Sequence, residues 1–186
     1  MNRFFNLIIG LVIFLFLLIP IIIIFFLILI KDREKPFYFS SRIGKDNKIF
    51  SMPKFRTMRS DTPQEATHLL TNPTEYLLST GNFLRKYSLD EIPQILSVIK
   101  GDMNFIGPRP ALYNQFDLIE LRNEKKISSL KPGITGWAQV NGRDELSLEE
   151  KVEFEEEYLK MASISFDLLI LWKTLLKVFM KEGISH

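Results

Sequence analysis

The chain has 186 residues and a formal net charge of +2, from 24 basic and 22 acidic side chains. This near-neutral balance offers no basic surface of the kind that binds nucleic acid, so nucleic acid is excluded as a partner. The sequence has no cysteine, which excludes disulfides and thiolate chemistry, and its two histidines lie far apart, which argues against a histidine metal site. The length suits one modest domain with a membrane anchor.

An uncharged apolar run fills residues 7–30. As a straight helix it would be about 36 Å long, enough to cross a hydrocarbon core of about 30 Å. Pro20 lies inside the run, where a proline removes a backbone hydrogen bond and kinks the helix. Two topologies therefore stay open: a spanning anchor, or a re-entrant hairpin that leaves by the face it entered. The basic residues after the run favour a cytoplasmic location for the rest of the chain.

The next segments predict a short extended region, then a loop and a helix. Residues 36–50 are typical of strands joined by a turn at 44–47, and residues 61–73 of a loop. Lys54, Arg56 and Arg59 place three cations within a short stretch, which suits either a solvated face or a phosphate site. A helix is predicted at residues 75–86.

Two adjacent carboxylates, Asp90 and Glu91, lie at the predicted start of the next helix. Its apolar residues fall on one face and Gly101 ends it. A capping box from Ser88 to Glu91 is one possible start. A start at Asp90 is preferred, because it puts Pro93 where its missing N–H costs no bond and both carboxylates at the positive helix end. The pattern alone leaves them as a helix cap or as catalytic groups.

Arg109 stands between two prolines in the sequence GPRP at residues 107–110. Proline fixes its own φ and restricts the residue before it, so this arginine is held on stiff backbone. Guanidinium groups bind phosphate through two parallel hydrogen bonds. Arg109 is thus either a phosphate clamp or an ordinary surface ion pair.

The last third of the chain predicts one glycine-punctuated segment and three helices. On an extended chain Gln139, Asn141 and Arg143 would share one face, near glycines that allow close approach to a ligand; a core strand is the alternative. Helices are predicted at residues 111–127, 147–161 and 166–179. The second should open with a capping box and carry a solvated acidic face at residues 153–157. The third suits either a membrane-interface helix or a core helix with one lysine row.

Several of these motifs, taken in order, resemble the monotopic phosphoglycosyl transferases of the bacterial sugar transferase family. The matching blocks are KFRTM at 54–58, SLDEIPQ at 88–94, KGDM at 100–103, GPRP at 107–110, KPGITG at 131–136 and QVNGR at 139–143.

The resemblance implies transfer of a sugar 1-phosphate from a UDP-sugar to polyprenyl (undecaprenyl) phosphate with release of UMP. Asp90 would form a covalent phosphosugar intermediate, and Glu91 would assist as metal ligand or proton acceptor. The dyad would hold Mg²⁺ as cofactor. The resemblance further implies two sets of substrate ligands: Arg109, Arg85, Lys54 and Arg56 for substrate phosphate, and Gln139, Asn141 and Arg143 for the nucleotide or sugar.

The resemblance also implies an α+β, mainly helical fold with two parts. Residues 1–35 would form a re-entrant membrane helix bent at Pro20, although Ile19 stands where the family commonly has serine. Residues 36–186 would form a catalytic domain with interfacial amphipathic helices, on the cytoplasmic face of the bacterial inner membrane, with the lipid bilayer as a partner and a homodimer as a further expectation.

Within the family the chain is more similar to capsule and exopolysaccharide initiating enzymes, which points to an N-acetylated amino sugar. The alternative is a non-catalytic, membrane-anchored scaffold of a polysaccharide assembly pathway, built on the acidic and terminal helices.

Overall fold

A long apolar helix begins the fold. The computed structural model describes residues 3–63, 73–142 and 145–180. Helix α1 (Arg3–Leu27) continues through Pro20 into a π-helical turn, Ile28–Asp32. This helix is long and apolar enough to cross a membrane, and little of it is buried inside the protein; Phe16, for example, is 79% exposed. Such exposure is typical of a membrane-inserted helix and not of a core helix.

Both ends of α1 contact the rest of the chain. At its start, the Arg3 guanidinium donates to the carbonyl oxygens of Val98 (2.8 Å) and Ile99 (2.6 Å). At its end, Ile24 and Ile28 pack in an apolar cluster with other buried side chains: Phe55, Leu78 and Leu84. The division at residue 35 and the bend at Pro20 stay predictions.

The chain then forms a β-hairpin and a run of short helices. Strands β1 (Phe37–Ile43) and β2 (Ile49–Phe55) are antiparallel, with Phe37 opposite Phe55, and the predicted turn at 44–47 is confirmed. The next elements are a 3₁₀ turn (Pro73–Tyr76), helix α2 (Gly81–Lys86), a 3₁₀ segment (Leu89–Gln94) and helix α3 (Ile95–Lys100). Gly101 ends α3 with φ +99°, as predicted.

The remaining elements build a second layer of helices over a small parallel sheet. Strands β3 (Asn104–Ile106) and β4 (Gly133–Thr135) pair in parallel. The helices are α4 (Phe116–Glu124), α5 (Trp137–Asn141), α6 (Leu148–Met161) and α7 (Ile164–Met180). The Ser147–Glu150 capping box is present. One core cluster joins Ile106 of β3 to Ile170 of α7. The predicted α+β, mainly helical class is confirmed.

Tertiary contacts overturn three predicted elements. The helix at 75–86 is broken because Leu78 donates to the Thr57 carbonyl and Leu77 bridges Met58. The helix at 111–127 starts only at Phe116, because the first residues of that range pair with the end of β1. The extended segment at 139–143 is wrong as well. Residues Trp137–Asn141 are helical, so Gln139 and Asn141 do not share a face.

The prediction of a solvated acidic face at residues 153–157 of helix α6 was wrong in part. Glu155 is buried, because its carboxylate pairs with the buried guanidinium of Arg122. Glu157 accepts a hydrogen bond from the Trp137 indole, while Glu153 is exposed. Helix α7 buries Phe166 and Ile170 but exposes large apolar side chains that include Leu168, Leu169, Trp172 and Leu175. It is thus a core helix on one face and an apolar surface on the other.

Candidate functional site

Asp90 and Glu91 lie in the first turn of the 3₁₀ segment, neither as an N-cap. Helical geometry already begins at Leu89, so the preferred start at Asp90 is wrong, and Ser88 forms no capping box. Ser88 instead adopts the left-handed conformation (φ 52°), which turns the chain sharply after α2. Pro93 cannot donate a backbone hydrogen bond, which accounts for a 3₁₀ first turn and α-helical bonding only from Ile95.

Glu91 is held by two cations from different parts of the chain. Lys54 Nζ, on β2, lies 2.8 Å from Glu91 Oε1, and Arg109 Nη2 lies 2.9 Å from the same oxygen. Burial alone would raise the pKa of Glu91, but the charges and hydrogen bonds of Arg109 and Lys54 outweigh it and lower that pKa well below its usual range. Glu91 is therefore ionised at neutral pH and a poor proton acceptor.

Asp90 has weaker electrostatic support. Its Oδ2 lies 4.0 Å from Lys54 Nζ, beyond hydrogen-bond distance, and its side chain is 13% exposed. Burial raises the pKa of Asp90, the Glu91 charge raises it further, and Lys54 and Arg85 only partly offset this. A carboxylate that is partly desolvated and incompletely neutralised is a better nucleophile than one locked in an ion pair.

Arg85 reaches the dyad from the end of α2. Its Nε donates to Thr57 Oγ1 at 3.0 Å, which orients the guanidinium beneath the 3₁₀ segment. Burial lowers the pKa of Arg85, while attraction to Asp90 raises it. Lys54 and Arg109 therefore contact Glu91, and the charge of Arg85 acts on Asp90. The predicted role of these cations in binding substrate phosphate stays a prediction.

Three of the other predicted ligands have a different placement. Arg56 donates to the Lys35 carbonyl (2.9 Å) and lies over the Tyr38 ring, away from the dyad contacts. Asn141 donates to the Trp137 carbonyl (2.8 Å) and accepts from Lys173. Gln139 lines a cleft next to Arg109. Arg143 lies outside the described residues.

Comparison with known proteins decides the family. The profile described as bacterial sugar transferase matches residues 1–181. The chain belongs to the bacterial sugar transferase family. The uncharacterized sugar transferase EpsL of Bacillus subtilis is 40% identical over 179 residues, covering 94% of this chain and 86% of that protein.

Two relatives have names that state a reaction. The UDP-glucose:undecaprenyl-phosphate glucose-1-phosphate transferase of Escherichia coli is 36% identical over 150 residues, covering 77% of this chain. The undecaprenyl-phosphate galactose phosphotransferase of Salmonella typhimurium is 31% identical over 179 residues, covering 88% of this chain. The matches cover only 32% and 37% of those two proteins. The predicted family and the prediction of a sugar-phosphate transferase are confirmed.

Sequence reasoning missed two arginines that hold the Arg109 loop of this sugar transferase. Arg122 Nη2 donates to the Arg109 carbonyl (2.9 Å), and Arg42 Nη1 donates to the Pro110 carbonyl (3.1 Å). The loop is thus fixed by side-chain hydrogen bonds as well as by its prolines. No spacing signal marks either residue, because Arg42 lies on a strand and Arg122 on a short helix far along the chain.

The two carboxylates of the dyad are a donor set that could hold a magnesium ion, and Mg²⁺ as cofactor stays a prediction. Among the described residues no cluster of three or more acidic or histidine side chains forms a closed metal cage. Mg²⁺ commonly uses one or two protein carboxylates, with waters and substrate phosphates completing its shell. Asp90 and Glu91 match that donor set. Lys54 Nζ lies 4.0 Å from Asp90 Oδ2 but 2.8 Å from Glu91 Oε1, so Asp90 is held less closely by a cation than Glu91 is.

Proposed function

We propose that this sugar transferase moves a sugar 1-phosphate from a UDP-sugar to polyprenyl phosphate, releases UMP and forms an intermediate on Asp90. The observation that carries the proposal is the set of cations around the dyad: Lys54 and Arg109 contact Glu91, and the charges of Lys54 and Arg85 act on Asp90. The names of the Escherichia coli and Salmonella relatives supply the reaction class. A carboxylate dyad surrounded by cations favours catalysis over the scaffold alternative, which needs no such site.

The first half-reaction needs an ionised nucleophile beside positive charge. An Asp90 carboxylate oxygen attacks the sugar-side phosphorus, an oxygen–phosphorus bond to Asp90 forms, and the bond from that phosphorus to the bridging oxygen breaks. The electron pair stays on the bridging oxygen, which leaves as part of UMP. Lys54 and Arg109 stabilise the negative charge that accumulates on the phosphoryl oxygens. No proton is needed, because UMP leaves as a phosphate anion.

The second half-reaction transfers the phosphosugar from Asp90 to the lipid. A phosphate oxygen of the polyprenyl phosphate attacks the same phosphorus, and the bond between Asp90 and phosphorus breaks to regenerate the carboxylate. The low pKa of Glu91 makes a proton-accepting role unsuitable, so Glu91 instead orients Lys54 and Arg109 around the phosphoryl group. Mg²⁺ held by the dyad would neutralise part of the pyrophosphate charge.

Contacts at both ends of α1 support a re-entrant membrane helix. Arg3 is bound to α3, and Ile28 packs with Phe55, which belongs to the same body as the dyad. A spanning helix would separate Arg3 from that body by the bilayer. The exposed apolar face of α7 (Leu168, Leu169, Trp172 and Leu175) supports a domain resting on the same membrane. We propose that this is the cytoplasmic face of the inner membrane; a homodimer and an N-acetylated amino sugar stay proposals.

The test is incubation of purified protein with a panel of UDP-sugars, Mg²⁺ and polyprenyl phosphate, with UMP as the readout. We expect UMP release with at least one sugar, its loss on adding EDTA, and its loss in Asp90→Asn. Folded protein that releases no UMP with any sugar would overturn the proposed function.

A further inference from the structure

An open cleft of about 160 Å³ lies beside the dyad, on the side of Glu91 where Arg109 stands. Its polar lining includes Arg42, Arg109 and Gln139, and its apolar lining includes Ala138 and Leu148. The proposed chemistry at Asp90 uses none of these residues except Arg109. The cleft therefore shares Arg109 with the dyad and adds polar groups that the chemistry at Asp90 does not use.

The cleft lining carries four cations and one carboxylate, which gives it a local excess of positive charge: Arg42, Arg109, Arg122 and Lys151 against Glu155, which Arg122 binds. Arg42 uses Nε for Ser40 Oγ (3.0 Å) and Nη1 for the Pro110 carbonyl, neither of which carries a charge. Glu91, whose charge acts on Arg42, is already shared by Arg109 and Lys54. Burial and repulsion from Arg109 lower the pKa of Arg42 to about 10, although it remains a cation at neutral pH. Like charges held this close are stabilised by an anion between them.

The Gln139 side chain supplies a neutral recognition group in the same cleft. Both its Nε2 and its Oε1 are buried without a hydrogen-bond partner among the described residues. A buried carboxamide without partners is uncommon, since such groups are nearly always satisfied. One donor beside one acceptor matches the edge of a pyrimidine base, which also presents a donor next to an acceptor.

We propose that this cleft binds the nucleoside monophosphate half of the substrate, with Arg42 and Arg109 on the leaving phosphate and Gln139 on the pyrimidine edge. The assignment rests on the proposed function and deepens it. Arg42 becomes a substrate-binding residue that stabilises the phosphate anion as the phosphoanhydride bond of the donor breaks. The apolar lining at Ala138 and Leu148 suits the faces of the base and ribose.

The experiment is equilibrium dialysis of radiolabelled UMP against the full-length chain in detergent. Arg42→Gln should weaken UMP binding about tenfold or more, because a charge-assisted phosphate contact is lost. Arg42→Lys keeps the positive charge but loses the paired N–H donors of the guanidinium. Its affinity for UMP should lie between those of wild type and Arg42→Gln. Arg59→Gln is the matched control, since Arg59 is exposed and paired with Asp61 away from the cleft. It should bind UMP as wild type does.

A second variant separates base recognition from phosphate binding. Gln139→Met should weaken UMP binding about tenfold while leaving inorganic pyrophosphate binding unchanged. Because the amide has no protein partner among the described residues, this variant should keep or raise the thermal unfolding midpoint, whereas loss of a structural residue would lower it. Wild-type affinity in both Arg42→Gln and Gln139→Met, or no measurable UMP binding by the wild type, would overturn the inference.

The outcomes also separate this inference from the proposed function. UMP binding that depends on Arg42, with no sugar transfer from any donor, would support the cleft and refute the reaction. Sugar transfer with an unchanged KM for the UDP-sugar in both Arg42→Gln and Gln139→Met would support the reaction and refute the cleft.

Discussion

Two glutamates bind arginines on either side of the Arg109 loop, and they differ in how their cations are shared. Glu155 is matched by one partner: Arg122 reaches Oε2 through Nε (2.7 Å) and Oε1 through Nη2 (2.5 Å), with side chains 5% and 10% exposed. Glu91 shares its Oε1 between Lys54 and Arg109. The first pair joins one guanidinium to both carboxylate oxygens, whereas the second gathers two cations from different elements on one oxygen.

The difference separates a structural ion pair from a functional one. The Arg122–Glu155 pair is buried, and its remaining hydrogen bond fixes the Arg109 backbone. The Glu91 cluster instead contains a second carboxylate, Asp90, which lies 4.0 Å from Lys54 Nζ. Because the charge of Asp90 is incompletely neutralised, this carboxylate lowers the stability of the fold and stays reactive. That pattern is expected at functional sites.

The sequence predicted the Glu91 cluster much better than the Arg122–Glu155 pair. Ordered motif blocks identified the dyad, Lys54, Arg85 and Arg109, because each lies in or beside a local sequence block shared with the family. Glu155 was predicted to be solvated, since an acidic helix looks exposed until its distant partner is known. Arg42 was missed for the same reason: its hydrogen bond to Pro110 joins residues 68 apart in sequence.

Element boundaries failed where long-range backbone contacts override local pattern. The start of the helix after Ser88 depended on a left-handed residue that propensity does not favour. Gln139 and Asn141 were placed on one extended face, but Trp137–Asn141 is helical. The helices predicted at 147–161 and 166–179 were placed within about two residues of α6 and α7.

Asp90→Asn should have the largest effect, with sugar transfer reduced at least about a thousandfold because the nucleophile is lost. In EDTA the same variant should unfold at a higher temperature than wild type. The folded-state pKa of Asp90 is raised, so its contribution to stability is present at acid pH and is lost as pH rises through that pKa. Asparagine carries no charge at neutral pH, so the variant does not suffer the destabilisation that ionised Asp90 causes in wild type. An unfolding midpoint below wild type would contradict the assignment of Asp90 as the incompletely neutralised carboxylate.

Glu155→Gln should be the most destabilising change in either glutamate pair. It leaves the buried Arg122 charge unpaired, which costs about 3–5 kcal/mol in the free energy of unfolding. Glu153→Gln is the control on the same helix; it is exposed and should stay within about 0.5 kcal/mol of wild type. Chemical denaturation measures both. If Glu91→Gln destabilises the fold more than Glu155→Gln does, the distinction between the two pairs fails.

The pH dependence of UMP release should move in opposite directions in two variants. Activity requires ionised Asp90, so the rate falls on the acid side as pH drops through the Asp90 pKa. Glu91→Gln removes a charge that raises this pKa and should shift the acid limb to lower pH. Lys54→Gln removes a charge that lowers it and should shift the limb to higher pH. Shifts in the same direction would show that another group controls the limb.

The covalent step at Asp90 is the central claim, and intact-protein mass spectrometry tests it most directly. Protein mixed with its UDP-sugar and Mg²⁺, without polyprenyl phosphate, is quenched in acid and weighed while released UMP is counted. We predict a burst of about one UMP per chain and a gain of one sugar-phosphate mass that maps to Asp90 and is absent in Asp90→Asn. UMP release that strictly requires the lipid acceptor, with no adduct on active protein, would contradict the account.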